Sequence, residues 1–408
     1  MKARYFFYPF LSLFSVAMFA SCSLSVPKEG DIIEDSAFRS VDLRIIEKTK
    51  GTVMSLGDLM ESYEIIRLDN RDEALIKTYP YGVYVTDNYI LLRPADVVSP
   101  VKLFTRKGRY VADIGGVGQG PGEYLYLFSW LVDEKENRIY LGPGRTDKVL
   151  VYDLKGNYLP DEVIRFGEIV HKSQIWVDYD KKNVVVVTLP FSANVNSNFA
   201  ISKNVCWVQN REGDIVHRIP VNHYGLIGDY SNALVARRNV DAISFSISEV
   251  PMLRTRPDTL YHYDAVKNII TPCFTIDHVV SENQSVCTVL YETSRSYWAQ
   301  VTLYPNNLSS SVSSVRLPAF NVCVSKKDGN VRRIDRFTDP LLGLSYPYLV
   351  MQNGYVCISY EPLGLMDALD KVLAQTDWEP DVRKRATDLR NSLHENDNDI
   401  LIIGKLKQ

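Results

Sequence analysis

Five glycines and a proline crowd into residues 115–124, GGVGQGPGEY, a density that in other proteins cradles phosphates. A dinucleotide-binding loop needs glycines at offsets 0, 2 and 5, because each permits a different close approach. Counting from Gly116, the third position holds Pro121; from Gly118 it holds Glu123, and from Gly120 it holds Leu125. No Gly-Lys-Ser/Thr follows, and the next residues, YLYLFSWL, read as an aromatic strand where a phosphate loop needs a helix N-terminus. Phosphate chemistry is therefore not expected here. The six histidines, His171, His217, His223, His262, His278 and His394, stand singly, without the paired spacing of a zinc hydrolase. No G-x-S-x-G elbow occurs, and Asn396–Asp399 lacks the glycine and the spacing of a calcium loop. The expectation is no metal, no cofactor and no assigned catalytic residue.

Cysteine usage points the same way. The chain has six cysteines and no C-x-x-C, which argues against a zinc ribbon or a thioredoxin-type pair. Cys206, Cys323 and Cys357 sit in alternating strand-like runs and read as small buried hydrophobes. Cys273 and Cys287 are left as a pair that an oxidising compartment would allow to bridge.

Such residues need elements to position them, and composition bounds what those are. Across 408 residues, 46% apolar and 23% charged content is globular, and a net charge of −3 offers no basic footprint for nucleic acid. The 25 tyrosines favour strands, since aromatics pack well on a half-buried pleated surface. At the start, Lys2 and Arg4 precede an apolar run, Tyr5–Phe19, too short for a permanent span. It ends Phe19-Ala20-Ser21-Cys22, which resembles a bacterial lipoprotein signal, with Phe19 where the strictest pattern has Leu. Residues 1–21 are thus expected to be a signal peptide and Cys22 a lipidated N-terminus, ordinary cleavage without lipid being the alternative. Acyl chains add about 0.8 kcal/mol per buried methylene, enough to hold the chain at a membrane surface. Residues 22–52 read as a polar tether, within which Asp35-Ser36-Ala37 resembles an acceptor for O-glycosylation.

Beyond the tether a unit recurs: an apolar alternating run, a polar turn, then a second run. The copies are VKLFTRKGRYVADI (101–114), VLVYDLKGNYL (149–159), VCWVQNREGDIV (205–216), LYHYDAVKNII (260–270) and NVCVSKKDGNV (321–331). Each reads as a β-hairpin whose turn wants a left-handed residue, supplied by Gly108, Gly156, Gly213, Asn268 and Gly329. The turns lie 48 to 61 residues apart, the period of a four-stranded propeller blade. In a sixth blade, 346–360 supplies two strands, a helical insertion fills about 363–395, and ILIIGKL (400–406) supplies a third. The unclaimed run YEIIRL (63–68) completes that blade, so that the first strand pairs with the last. The fold expected over 53–408 is all-β, a six-bladed β-propeller closed by its N- and C-terminal strands.

The stretches YEIIRLDNRDEALI (63–76), KLFTRKGRYVADIGGVGQGPGEY (102–124), RPDTLYHYD (256–264) and ENDNDILIIGKLK (395–407) carry a resemblance to the six-bladed β-propeller lipoproteins of Bacteroidota, shaped like NHL-repeat propellers. Together they span nearly the whole mature chain. The resemblance implies the fold and an exported, membrane-anchored address. It implies little about activity, since NHL-type propellers include binding modules and a few lyases.

Loops that join the outer strand of one blade to the inner strand of the next line one face of a propeller. GGVGQGPGEY is such a loop, so Glu123 and Tyr124 are expected at a ligand-binding rim, with Arg145 and Arg93 contributing charge. Tyr126 and Trp130 offer platforms there, unless they pack between blades, and Glu123 has the alternative of binding amides of its own loop. The reading that results is a lipid-anchored binding or scaffold module of the cell envelope, whose partner is a glycan, peptide or protein. A lyase or hydrolase with its site in the channel is the alternative. Histidine clustered with carboxylates at the channel mouth would favour the enzyme, and an aromatic groove would favour binding. Residues 22–28, CSLSVPK, lack an acidic run, which favours the periplasmic face of the outer membrane over the cell surface.

Overall fold

The computed structural model describes residues 28–29, 31–32, 38–96, 98–178, 182–193, 201–229, 231–249, 256–278, 284–305 and 319–408. Residues 1–21, expected to be a signal peptide, and Cys22 and Asp35–Ala37 lie outside them. The chain forms a six-bladed propeller. Blade 1 comprises Pro80–Val85, Tyr89–Pro94, Val101–Thr105 and Tyr110–Ile114, innermost strand first. Blade 2 follows with Leu127–Asp133, Arg138–Pro143, Arg145–Asp153 and Ile164–His171. Blades 3, 4 and 5 start from the inner strands Gln174–Asp178, Ala233–Val235 and Gln284–Glu292. All five expected turn residues hold a positive φ: Gly108 at 80°, Gly156 at 88°, Gly213 at 99°, Asn268 at 58° and Gly329 at 73°. Local turn chemistry thus sets the outer hairpin of each of the first five blades.

Blade 6 is built from both ends of the chain. Ile400–Lys405 lies between Tyr355–Tyr360 and Glu64–Arg67, antiparallel to both, with Ile402 opposite Ile358 on one side and Ile65 on the other. Two helices, Pro362–Leu373 and Pro380–Asn391, interrupt this blade, each with proline in its first turn, where the missing N–H costs nothing. They bury Leu365, Leu369, Ala386 and Leu389 against Leu342, Leu344 and Leu349. The hydrophobic core is the set of interfaces between neighbouring sheets, such as the one where Trp207 meets Phe166 edge-on.

The segment expected as a tether departs from that reading. Lys28–Glu29 pairs parallel with the outer strand of blade 3, and Asp31–Ile32 and Arg39–Asp42 pair with that of blade 4. Thr52–Ser55 then pairs with the outer strand of blade 5. Short helices over Leu43–Lys48 and Leu56–Leu59 join the stretches, N-capped by Asp42 and Ser55. Val41, Leu43 and Ile46 are buried against Phe274 and Ile276, and Met54 and Leu56 against Phe337. The residues from 38 onward are therefore a strap along the propeller's rim. Polar composition misled because a strand added at an edge buries only alternate side chains. Among the described residues Cys206, Cys273, Cys287, Cys323 and Cys357 are all thiols, so Cys273 and Cys287 form no bridge. No described helix is long and apolar enough to cross a membrane.

Candidate functional site

The connection between the first two strands of blade 4 does not turn tightly but crosses the central channel. Arg237 Nη1 donates to Gln352 Oε1 at 3.2 Å, and Asn239 Nδ2 donates to the Met351 carbonyl at 2.9 Å, both in blade 6. Asn239 Oδ1 accepts from the Gly354 amide at 3.0 Å, and the Arg238 guanidinium donates to the Ile175 carbonyl in blade 3. This bar divides the channel into two mouths. Consecutive arginines serve opposite sides, Arg237 lining one mouth and Arg238 the other.

The two mouths differ in chemistry. On the face of the hairpin turns, a cavity of about 560 Å³ is lined by Asp87, Asp133, Glu134 and Asp241 together with Arg238 and Lys405. On the face of the blade-to-blade connections, a cavity of about 700 Å³ is lined by Tyr79, Tyr81, Trp130, Tyr348 and Tyr360, with Arg237, Gln174 and Gln352. Among the described residues no Asp or Glu lines this second mouth. Gly82 shapes its wall: a Cβ there would strike the Trp130 indole, so glycine lets the ring lie close against blade 1. Tyr81 meets Trp130 edge-to-face at 6.0 Å and remains 52% exposed, and Tyr79 is 62% exposed. Among the described residues neither mouth is lined by histidine.

The residues anticipated from sequence scatter around this geometry. Arg93 stands just behind the aromatic wall, only 5% exposed, with its guanidinium 4.2 Å from the Tyr81 ring centre and 5.6 Å from that of Trp130. Tyr124 is not at the rim. It is 5% exposed, its hydroxyl donating to the Ile114 carbonyl at 3.0 Å and accepting from the Val101 amide at 2.9 Å, and burial pushes its pKa up to about 12. Glu123 is exposed, but its Oε2 accepts from the Gly120 amide at 2.7 Å and closes its own loop. The glycine-rich stretch is thus a strut: Gly116–Val117 pairs with Glu123–Tyr124, and the Tyr152 hydroxyl in blade 2 donates to the Gly122 carbonyl. Arg145 is exposed on blade 2 opposite His171 and lines neither mouth. Burial, with Arg145 and Lys172 adding positive charge, holds His171 down to about 4.

Sequence reasoning missed Arg237, Gln352 and the tyrosines at 79, 81 and 348. Only Arg237-Arg238, two charges at the end of an apolar strand, gave a local signal. A separate polar cluster lies between blades 4 and 5. The fully buried Glu292 meets His262 Nε2 at 2.5 Å and Lys326 Nζ at 2.8 Å. Burial lowers the His262 pKa, but the adjoining Cys273 and Glu292 outweigh it and raise it to about 10. Glu292 lines neither mouth, so this cluster is a strut between blades. Among the described residues no three His, Cys, Asp or Glu side chains are grouped to hold a metal ion.

Residues 40–405 match the family described as Domain of unknown function (DUF4934). The chain belongs to that family. It is similar in structure to a Bacteroides fragilis NCTC 9343 protein described as exported, at 16% identity and a TM-score of 0.57, over 90% of this chain and 99% of that one. A member of the DUF4221 family from Bacteroides vulgatus ATCC 8482 aligns at 10% identity and a TM-score of 0.45, over 86% and 97% of the two chains. The WD40 domain of Neurospora crassa Pan2 aligns at 11% identity and a TM-score of 0.39, over 88% and 98%. No curated protein matches. The family match begins at residue 40, within the strap, so its domain takes in residues 40–52 of the stretch that composition assigns to a tether.

Proposed function

We propose that this propeller is an exported, lipid-anchored binding module of the cell envelope whose ligand enters the aromatic mouth. The observation that carries the reading is that mouth: about 700 Å³, walled by Tyr79, Tyr81, Trp130 and Tyr348, with two glutamines and one arginine to orient a guest. Its volume falls in the usual range for small-ligand sites, which are apolar clefts bearing a few placed polar groups. Tyrosine and tryptophan offer broad contact area with little side-chain entropy to lose. A glycan, peptide or protein loop suits such a surface. The lipid anchor at Cys22 and the periplasmic face of the outer membrane rest on the signal sequence, and likeness to an exported Bacteroides protein supports the exported address.

Two measurements test this. Glycan and peptide arrays probed with the purified protein should yield a ligand whose affinity falls at least about tenfold in Tyr81→Ala and Tyr348→Ala, the scale of losing a central aromatic contact. Array ligands that bind both variants as tightly as the wild type would place the site elsewhere. Cys22→Ala should move the protein from the membrane to the soluble fraction, and retention in the membrane would refute the anchor.

A further inference from the structure

We infer that the aromatic mouth takes an anionic saccharide, one bearing a carboxylate or sulfate that Arg237 meets. This deepens the reading of the mouth as a ligand site and rests on it.

The argument starts from unmatched donors. Arg237 has one neutral hydrogen-bond acceptor, Gln352, and no carboxylate within ion-pair reach among the described residues. Arg93, against the Tyr81 ring, also has no carboxylate within ion-pair reach among the described residues, and its buried Nη1 has no hydrogen-bond partner there. The buried Trp130 Nε1 on the same wall has none either. Arg237 thus lines the mouth with no carboxylate among the described residues to pair it, and Arg93, stacked on Tyr81, Tyr126 and Trp130, adds a second positive charge behind the wall. A charge removed from water is costly unless something pairs it, and a missing partner leaves most of that cost standing.

The protein's own carboxyls do not fill the gap. Asp399, whose partner Ser359 lines the mouth, accepts from Ser359 Oγ at 3.0 Å, and burial raises its pKa to about 7. Asp339 is likewise held upward by burial and engaged by the Tyr63 hydroxyl. The acidic residues of the channel line the opposite mouth, beyond the Arg237–Asp241 bar. A guanidinium fork matches a planar carboxylate or a sulfate with two parallel N–H bonds.

The rest of the guest follows from the walls. Tyr79 and Tyr81 present open ring surfaces suited to the C–H face of a sugar, and Gln174, Gln352 and Ser129 suit its hydroxyls, since each both donates and accepts. The guest is therefore flat-faced, hydroxylated and negatively charged at the end near the bar.

Isothermal titration of the full chain in detergent tests this with four probes: tri-galacturonate, a sulfated galactose trimer, the neutral galactose trimer and tri-glutamate peptide. The expected result is binding of the uronate or the sulfated sugar and not of the neutral trimer, the two charged arms identifying which oxyanion is preferred. Affinity should fall at least about tenfold in Arg237→Gln and less in Arg237→Lys, which keeps the charge without the fork. Binding by the wild type should also weaken as salt rises from about 0.05 to about 0.5 M, a readout independent of how well any variant folds. Equal binding of neutral and acidic sugars, unchanged in Arg237→Gln, would overturn the anionic inference and leave the mouth as the site. Preference for tri-glutamate, or binding of no probe, would overturn the saccharide assignment. Acidic-sugar binding that is unaffected by Tyr81→Ala and Tyr348→Ala would sink the reading of the mouth itself.

Discussion

Among single residues, the most informative outside the mouth is His262. Its imidazole faces Glu292 from blade 5 and Cys273 from the neighbouring strand of its own blade, while Lys326 holds the other oxygen of the same carboxylate. A histidine with an ordinary pKa of 6.5 is here raised to about 10. The folded state therefore holds this proton more tightly than the unfolded chain does, and the contribution to stability is full below about pH 6.5. It declines as pH climbs through 10. Thermal melts from pH 6 to pH 10 should show Tm falling in the wild type more steeply than in His262→Gln. At pH 6 the variant should be less stable by about 1–3 kcal/mol, the scale of a hydrogen bond to a charged group. Parallel pH profiles for the two proteins would show that His262 is not protonated in the fold. Cys273 keeps its thiol beside this pair and forms no bridge to Cys287.

At the scale of elements, the strap is held by burial and not by composition. Ile46, on the helix Leu43–Lys48, is 2% exposed and packs in one cluster with Phe274 and Ile276 of blade 4. Ile46→Ala should cost about 3 kcal/mol in urea unfolding, as core truncations do, whereas a change within a solvated tether would stay within about 0.5 kcal/mol. A shift of that smaller size would return the segment to the role its composition suggests. The contrast also shows what was legible in sequence. Hairpin turns are specified locally, because a backbone that must adopt a positive φ selects Gly or Asn at one position, and all five were readable. Arg39–Asp42 beside Phe274–Asp277 is a pairing across more than two hundred residues, written only as a short alternation with no turn to mark it. The loop at 115–124 misled in a subtler way. Its glycines do mark a tight connection, but the Tyr124 that its position sends to the rim is buried, its hydroxyl tying Ile114 to Val101.

On the scale of the whole molecule, closure explains both the site and the stability. The mouth draws Tyr81 from blade 1, Trp130 from blade 2, Arg237 from blade 4 and Tyr348 from the approach to blade 6, residues that no window of sequence places together. Only the ring does, and the ring is closed by one strand. Ile400–Lys405 hydrogen-bonds Tyr355–Tyr360 on one edge and Glu64–Arg67 on the other, and its side chains enter the cores on both sides of blade 6. Ile400 and Ile402 pack with Leu365 and Leu369 of the helical insertion, while Leu401 and Ile403 pack with Ile90 and Phe104 of blade 1. Removing 400–408 would expose two unpaired edges and open both clusters at once, and a propeller's remaining blades have no other way to cover those edges. The truncated chain should lose its cooperative melt, and a synthetic peptide spanning 398–408 should restore it in trans together with ligand binding. A truncated protein that still unfolds in a single sharp transition would mean that five blades and a fragment suffice, and that the first strand is held by the strap rather than by the last.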